Sequence, residues 1–315
     1  MITVVSLNPC MDETLCGAFQ AGATNRFSTG QMDAGGKGYN VAAALKSLGA
    51  PVRLIGLMPH QGSDAYMQAV DALGIESDFV SCSGTLRINT KIVDERGVLT
   101  EINRTGFSAS ALVVAQMADC CRHYAPKSAL MLFCGSMPRG FAPDFYAAMA
   151  DQLPVPAMID ASGAALRVAA DSNAVLLKPN LDEFAQLIGE TPAQTLDALA
   201  RQVGLAARKM GKMLAVSLGA RGMLLAQRDQ VFYAEAPKVS GVRCSVGAGD
   251  NALAAMAFSW TQGGRGETLL SAGVAAGTAS VLRAGTQPLC RKTYRELLGR
   301  VSPRAIVGSP FDLNK

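Results

Sequence analysis

Residues 244–258 read CSVGAGDNALAAMAF. Gly247 and Gly249 bracket Ala248, Asp250 follows, and Leu253, Met256, Ala257 and Trp260 recur at helical spacing. Glycines permit a tight turn and close backbone approach to a ligand. A helix starting there presents unpaired N–H groups and the positive end of its dipole, an anion site best suited to phosphate. Asp250 beside it would take a proton from a substrate hydroxyl while the N–H groups hold charge on a transferring phosphoryl group. Taken alone, the stretch reads first as an ordinary capped helix start, and the rest of the chain changes that.

Nearer the start of the chain, and so the first of the two glycine loops, Gly35-Gly36-Lys37-Gly38-Tyr39-Asn40 feeds the apolar run at 41–48. Its spacing is neither the dinucleotide-binding fingerprint nor a Walker loop, which places a nicotinamide oxidoreductase far behind. A third segment, Lys178-Pro179-Asn180-Leu181-Asp182-Glu183, puts Asn180 and Glu183 three apart at a helix start, on one side of it. They serve equally as a cap and a first-turn acid.

These loops need a scaffold. Residues 2–7 form an apolar, β-branched run expected to be a buried strand, closed by Asn8-Pro9, with Asp12 just beyond its carboxyl end. Strands are expected at 52–57, 130–133, 157–159, 174–177 and 214–217, with a hairpin over 222–226 and 230–234. Helices are expected at 62–73, 112–124, 144–151, 181–188, 196–210, 250–262, 267–283 and 291–300. That alternation predicts an α/β fold with a mainly parallel central sheet flanked by helices. Residues 13–33 and the alternating pair 87–93 and 99–103 fall outside the rhythm and predict a small antiparallel β lid. The expectation is one domain over 1–315, with lid segments at about 13–33 and 87–103.

The chain has 315 residues, 49% hydrophobic and 6% aromatic, with net charge +4. So mild a balance points away from nucleic acid and suits a small anionic ligand. The eight cysteines lack CxxC spacing and are expected to be reduced, in apolar surroundings, in a cytoplasmic protein; zinc is not expected. His60 and His123 read as surface or loop residues. Asp12 and Glu13 interrupt any early apolar run, and no segment has the length of a membrane span.

The ordered set NPxxD (8–12), GGKGxN (35–40), RxN (87–89), GSxPxG (135–140), KPNxxE (178–183), SLGxxG (217–222) and VGAGD (246–250) resembles the PfkB, or ribokinase-like, carbohydrate kinases over essentially the whole chain. Lys37 between glycines, with residues 86–91 and 100–103, is similar to the branch holding 1-phosphofructokinase and tagatose-6-phosphate kinase.

The resemblance implies a ribokinase-like fold and transfer of the ATP γ-phosphate to a phosphorylated ketohexose, with Mg²⁺ as metal and K⁺ as a further candidate cofactor. Fructose 1-phosphate going to fructose 1,6-bisphosphate is the first expectation and tagatose 6-phosphate the second. It implies Asp250 as general base and Gly247, Ala248 and Gly249 as donors to the developing charge. Asp12, Gly35, Gly36, Asn40, Asn89 and Ser136 would face the sugar. Lys37 and Arg87 would bind its phosphate, Lys37 as a point charge and Arg87 as a fork. Arg87 reads equally as a solvated surface cation. Lys178, Asn180, Ser217, Gly219 and Gly222 would line the phosphate side of the nucleotide. Ala276, Ala279 and Gly285 would approach its adenine, and Glu183 would hold Mg²⁺ through water. A homodimer through the β lid is expected, with the lid excluding water.

Three positions depart from the pattern. Asn251 replaces a small hydroxyl residue, Tyr39 an aliphatic one, and Arg104 an acidic or small one. Tyr39 stacking on a base would favour a kinase of an unphosphorylated sugar or nucleoside. A non-catalytic sugar-phosphate sensor would keep the fold but has no use for both Asp250 and Glu183.

Overall fold

The computed structural model describes residues 1–306 except 29, 284 and 286. Position 29 of the expected lid segment and the last nine positions of the expected domain lie outside the described residues.

The main sheet contains β1 (Ile2–Ser6), β4 (Val52–Gln61), β5 (Glu76–Thr85), β8 (Leu130–Cys134), β9 (Ala157–Asp160), β10 (Leu176–Leu177), β11 (Met213–Ser217), β12 (Met223–Gln227), β13 (Gln230–Ala234) and β14 (Arg304–Ala305). Its order is β14-β13-β12-β11-β10-β9-β8-β1-β4-β5. From β11 through β5 neighbours run parallel, and β12, β13 and β14 turn antiparallel at one edge. This is the α/β, ribokinase-like architecture expected.

The strands are apolar throughout because both faces are covered, and period-two alternation sorts them. Val4, Leu54, Leu132 and Met158 point into one core, and Val5, Ile55, Phe133 and Ile159 into the other. The first core is roofed by α1 (Lys37–Leu48), α8 (Ala248–Thr261) and α9 (Gly266–Ser280). Residues 250–257 of α8 are all buried, as befits a helix that is apolar around its circumference. Gly273 lets α9 approach closely, since a Cβ there would lie 2.8 Å from Met256 Cγ. The second core is roofed by α3 (Ala111–Tyr124), α4 (Phe145–Gln152) and α7 (Leu196–Met210).

A separate four-stranded sheet has the order β3-β2-β6-β7, from β2 (Cys10–Cys16), β3 (Gly30–Gly35), β6 (Arg87–Val93) and β7 (Leu99–Ile102). Its central pair, β2 and β6, is parallel, which differs from the all-antiparallel lid expected. Both strands leave the main sheet in the same direction, β2 from β1 and β6 from β5, so they can only run side by side.

Other differences have local causes. β5, β14 and the helix α5 (Gly163–Ala169) were not expected. β5 is an edge strand, mostly half-buried or exposed, so it lacks an apolar signature. Asp12 lies inside β2 rather than in a loop. The remaining helices are α2 (Asp64–Ala72), α6 (Leu181–Ile188) and α10 (Arg291–Leu298), within a few residues of expectation. Cys16 is exposed, unlike the apolar setting expected of every cysteine. Among the described residues, no helix is long and apolar enough to cross a membrane.

Candidate active site

The parallel strands β1, β8, β9, β10 and β11 deliver Asn8, Ser136, Asp160, Lys178 and Ser217 to one edge of the sheet. Open α/β sheets hold ligands outside these carboxyl ends. The two glycine loops meet there. Gly36, at φ 91°, starts α1, and Gly247, at φ 78°, starts α8.

Asp250, in the first turn of α8, is almost fully buried. Its Oδ2 accepts a 2.8 Å hydrogen bond from Asn40 Nδ2, in the first turn of α1. Burial pushes its carboxyl above the ordinary value; Lys37 opposes this and the carboxylate of Asp160 adds to it. A carboxylate so placed is a better proton acceptor than one in water. Asn251 Nδ2 donates to Gly247 O at 2.8 Å and closes the turn from within. A hydroxyl side chain can make the same bond one turn back, as Thr278 does to Val274 O at 2.8 Å, so Asn251 keeps a contact that the expected small hydroxyl residue would also make.

A buried cluster of charges lies beneath the two loops. Asp160, fully buried at the end of β9, accepts from Lys37 Nζ at 2.6 Å and lies 3.0 Å from Lys178 Nζ. The Lys178 contact is an ion pair, not an aligned hydrogen bond. Burial opposes ionisation of Asp160, but Lys178 and Lys37 outweigh it and hold the carboxyl below its ordinary value. Lys37 is the converse: burial works against its charge, yet Asp160 and Asp250 hold the ammonium well above its usual range. Its side chain keeps 35% exposure, so a ligand can still reach it.

On the sugar side, Asp12 is buried in β2. Its Oδ2 pairs with Lys91 Nζ at 2.7 Å, and its Oδ1 accepts from Asn89 Nδ2 at 3.3 Å and Cys10 Sγ at 3.4 Å. Burial pushes the Cys10 thiol up to about 12, so it stays a donor. Gly35 faces this carboxylate, and a Cβ there would lie 2.4 Å from Asp12 Oδ2. Arg87 is no free surface cation: Nη1 donates to Asn89 Oδ1 at 3.1 Å and Arg104 O at 3.0 Å, and Nη2 to Asn8 O at 3.0 Å. Ser136 Oγ accepts from Asn8 Nδ2 at 3.1 Å. Arg104 thus contributes its carbonyl here. Tyr39 is buried with its ring centroid 5.4 Å from that of Tyr66, which removes the base-stacking role that would have favoured a nucleoside.

On the nucleotide side, Asn180 and Glu183 form a reciprocal capping box on α6: Asn180 Oδ1 accepts from Glu183 N at 2.8 Å, and Glu183 Oε2 from Asn180 N at 2.9 Å. That leaves Glu183 Oε1 for another partner. Lys178 Nζ would lie 3.1 Å from a Cβ on Gly249, so the ammonium sits against the cradle. Ser217 bridges to Asn180, and Gly219 and Gly222 make the tight turn into β12. At Gly222 a Cβ would lie 2.0 Å from Ala234 O, a structural reason for glycine there. Ala276 and Ala279 are fully buried in the core around α9, so the expected adenine contact is corrected to helix packing. A Cβ on Gly285 would lie 2.8 Å from Asp33 Oδ2, which places that glycine against the small sheet.

Residues 5–293 match the profile of the pfkB family of carbohydrate kinases. The chain belongs to the PfkB family. A 1-phosphofructokinase of Rhodobacter capsulatus is 32% identical over 83% of this chain and 84% of its own length. One from Borreliella burgdorferi is 30% identical over 90% and 92%. In structure, phosphofructokinase-2 of Escherichia coli in complex with substrates and products has a TM-score of 0.87 at 22% identity, covering 95% of this chain and 98% of that one.

As a PfkB kinase, the chain is an ATP-dependent phosphotransferase with an alcohol group as acceptor. Its donor set suits an anion and a hard cation: helix N–H groups and Lys178 at the cradle, and the unused Glu183 Oε1 nearby in sequence to it. One carboxylate oxygen fits a divalent ion that keeps most of its waters. Asp160 and the Lys91–Asp12 pair were missed as site features. A signal for Asp160 existed, as the sole acid ending the apolar strand at 157–160.

Proposed function

We propose that the protein transfers the γ-phosphate of ATP to O6 of fructose 1-phosphate, giving fructose 1,6-bisphosphate and ADP. The observation that carries this is the meeting of Asp250 with the first glycine loop: Asn40 bonds Asp250 directly, and Lys37, three residues before Asn40, carries its charge beside both. A base, a phosphoryl cradle and a cation for a second phosphate thus share one place. The names of the relatives support the choice of fructose 1-phosphate.

Asp250 takes the proton from the attacking hydroxyl, and the N–H groups of Gly247, Ala248 and Gly249 receive the charge that develops on the phosphoryl oxygens. Asp12, with one face held by Lys91 and Asn89, accepts from sugar hydroxyls together with Gly36 and Asn40. Lys37 retains two N–H donors beyond its bond to Asp160 and turns them to the sugar's phosphate. Arg87 supplies fixed positive charge at the same end. Bound Mg²⁺ would neutralise the nucleotide's phosphates, held through water by Glu183, and K⁺ is the further cofactor candidate.

The small sheet acts as a lid over the sugar, within one catalytic unit, and as the contact for a second copy. Met32, Val98, Leu99 and Ile102 are exposed on it. Large apolar side chains on a sheet with open edges favour pairing with a twin.

The test is ADP release with ATP, Mg²⁺ and a panel of fructose 1-phosphate, tagatose 6-phosphate, fructose 6-phosphate, fructose and nucleosides. Fructose 1-phosphate should give the highest kcat/KM. Preference for an unphosphorylated acceptor overturns the assignment, and absence of turnover on the whole panel favours a sensor.

A further inference from the structure

Asp160 touches neither glycine loop's backbone cradle, and no role in the reaction described above needs it. Yet it sits where the three pieces of the site converge. Its carboxylate takes Lys37 from the first loop on one oxygen and Lys178, beneath Gly249, on the other. The backbone ties it in as well: Gly135 N donates to Asp160 O at 2.8 Å, and Lys178 N to Ile159 O at 3.2 Å. A fully buried acid is costly unless paired, and here its two partners are both side chains that the reaction would use.

We propose that Asp160 is a positioning residue of the transfer reaction, a shared anchor that fixes the ammonium groups of Lys37 and Lys178 beside the base Asp250. Among the described residues Asp160 is the only carboxylate within ion-pair distance of Lys37, so removing it frees that ammonium. The charge of Asp160 has a second consequence. It disfavours a second negative charge nearby and so helps keep Asp250 a strong proton acceptor despite two neighbouring lysines. The groups facing Asp250 are Lys37 from α1, Asp160 from β9, Lys178 from the turn after β10 and the thiol of Cys134 from β8. Glu183 of α6 acts on Lys37 at longer range. Cys134 stays protonated because burial raises it far above its ordinary value, so it adds no charge. Asp160 is therefore the one anion of this set that adds to the charge against Asp250.

The field of Asp160 acts on Asp250 in either case, but an Asp160 that only supported the fold would leave KM for fructose 1-phosphate unmoved in a folded variant. The experiment is Asp160→Asn in the full chain, read in the ligand-free protein by ¹³C NMR of labelled aspartates, with Asp250 assigned from Asp250→Asn. The midpoint of Asp250 should fall by about one pH unit. The acid limb of kcat/KM should move down with it, and KM for fructose 1-phosphate should rise about tenfold. An Asp250 midpoint that stays in place or rises, or an unchanged KM for fructose 1-phosphate in the folded variant, overturns the proposal. If Asp160→Asn does not fold, Asp160→Asn/Lys178→Gln leaves no lysine of that pair buried alone. There the midpoint should still fall, because Asp160 acts on Asp250 more strongly than Lys178 does.

The inference rests on Asp250 being the base of this site, and its primary readout needs no substrate. A wild-type chain inactive on every sugar phosphate would refute the substrate assignment while the NMR midpoint still tests the electrostatic action of Asp160 on Asp250.

Discussion

Asn40 and Asp250 lie 210 positions apart in sequence and are joined by a 2.8 Å hydrogen bond between their side chains. Each is in the first turn of a helix begun by a glycine with positive φ. The bond fixes which carboxylate oxygen of Asp250 stays free. Asp250→Asn should lower kcat by about 10²–10⁴-fold, the range a general base supplies. It should also stabilise the fold at neutral pH. A carboxyl raised by burial loses stability as pH rises from its unfolded value through its folded one, and the amide has no such slope. Wild-type turnover in this variant would remove Asp250 as the base; an unchanged melting temperature would remove the burial argument.

Lys37→Met should raise KM for fructose 1-phosphate by about 10–100-fold, with a smaller change for ATP, since it removes a contact to one substrate. Steady-state kinetics with each substrate varied in turn check this. Equal effects on both would mean that Lys37 serves the nucleotide.

The Lys91–Asp12 pair is buried on both sides at 2.7 Å. Lys91→Met strips Asp12 of its counter-ion and should cost about 3–5 kcal/mol. Urea unfolding measures it. A loss under about 1 kcal/mol would mean that Asp12 finds water and that the sugar side of the site is open to solvent.

Lys37 has its folded value raised above the ordinary 10.5. Its contribution to stability is fully present below pH 10.5 and lost as pH rises through the folded value. Wild-type stability should therefore fall more steeply above pH 10.5 than that of Lys37→Met, as followed by urea midpoints across pH 9–12. Parallel curves would show that the Asp160 contact is too loose to hold the proton.

Ile102→Glu puts charge on an exposed apolar position of the lid's edge strand. It should dissociate a lid-mediated dimer and leave the monomer folded, as read by light scattering and circular dichroism. An unchanged mass would place any dimer contact elsewhere.

Much of this site was legible in the chain itself. Glycine spacing marked both helix starts, because only residues free at positive φ can make those turns. The lone acid after the second loop and the Asn-x-x-Glu pair carried their chemistry in local sequence, as did the alternation of apolar strands and helices. What sequence could not state was who meets whom at the sheet edge. Lys37 looked like a free cation until folding put Asp160 against it. Arg87 read equally as solvated until the carbonyls of Asn8 and Arg104, from distant segments, closed on it beside Asn89. Tyr39 looked like a ligand platform until it packed on Tyr66. The parallel course of β2 and β6 likewise follows from where their parent strands end, not from their own residues. Hydrophobic pattern and turn chemistry act over a few residues and are written locally; ion pairs between strand ends depend on the order in which the strands are laid side by side, which only the folded chain sets.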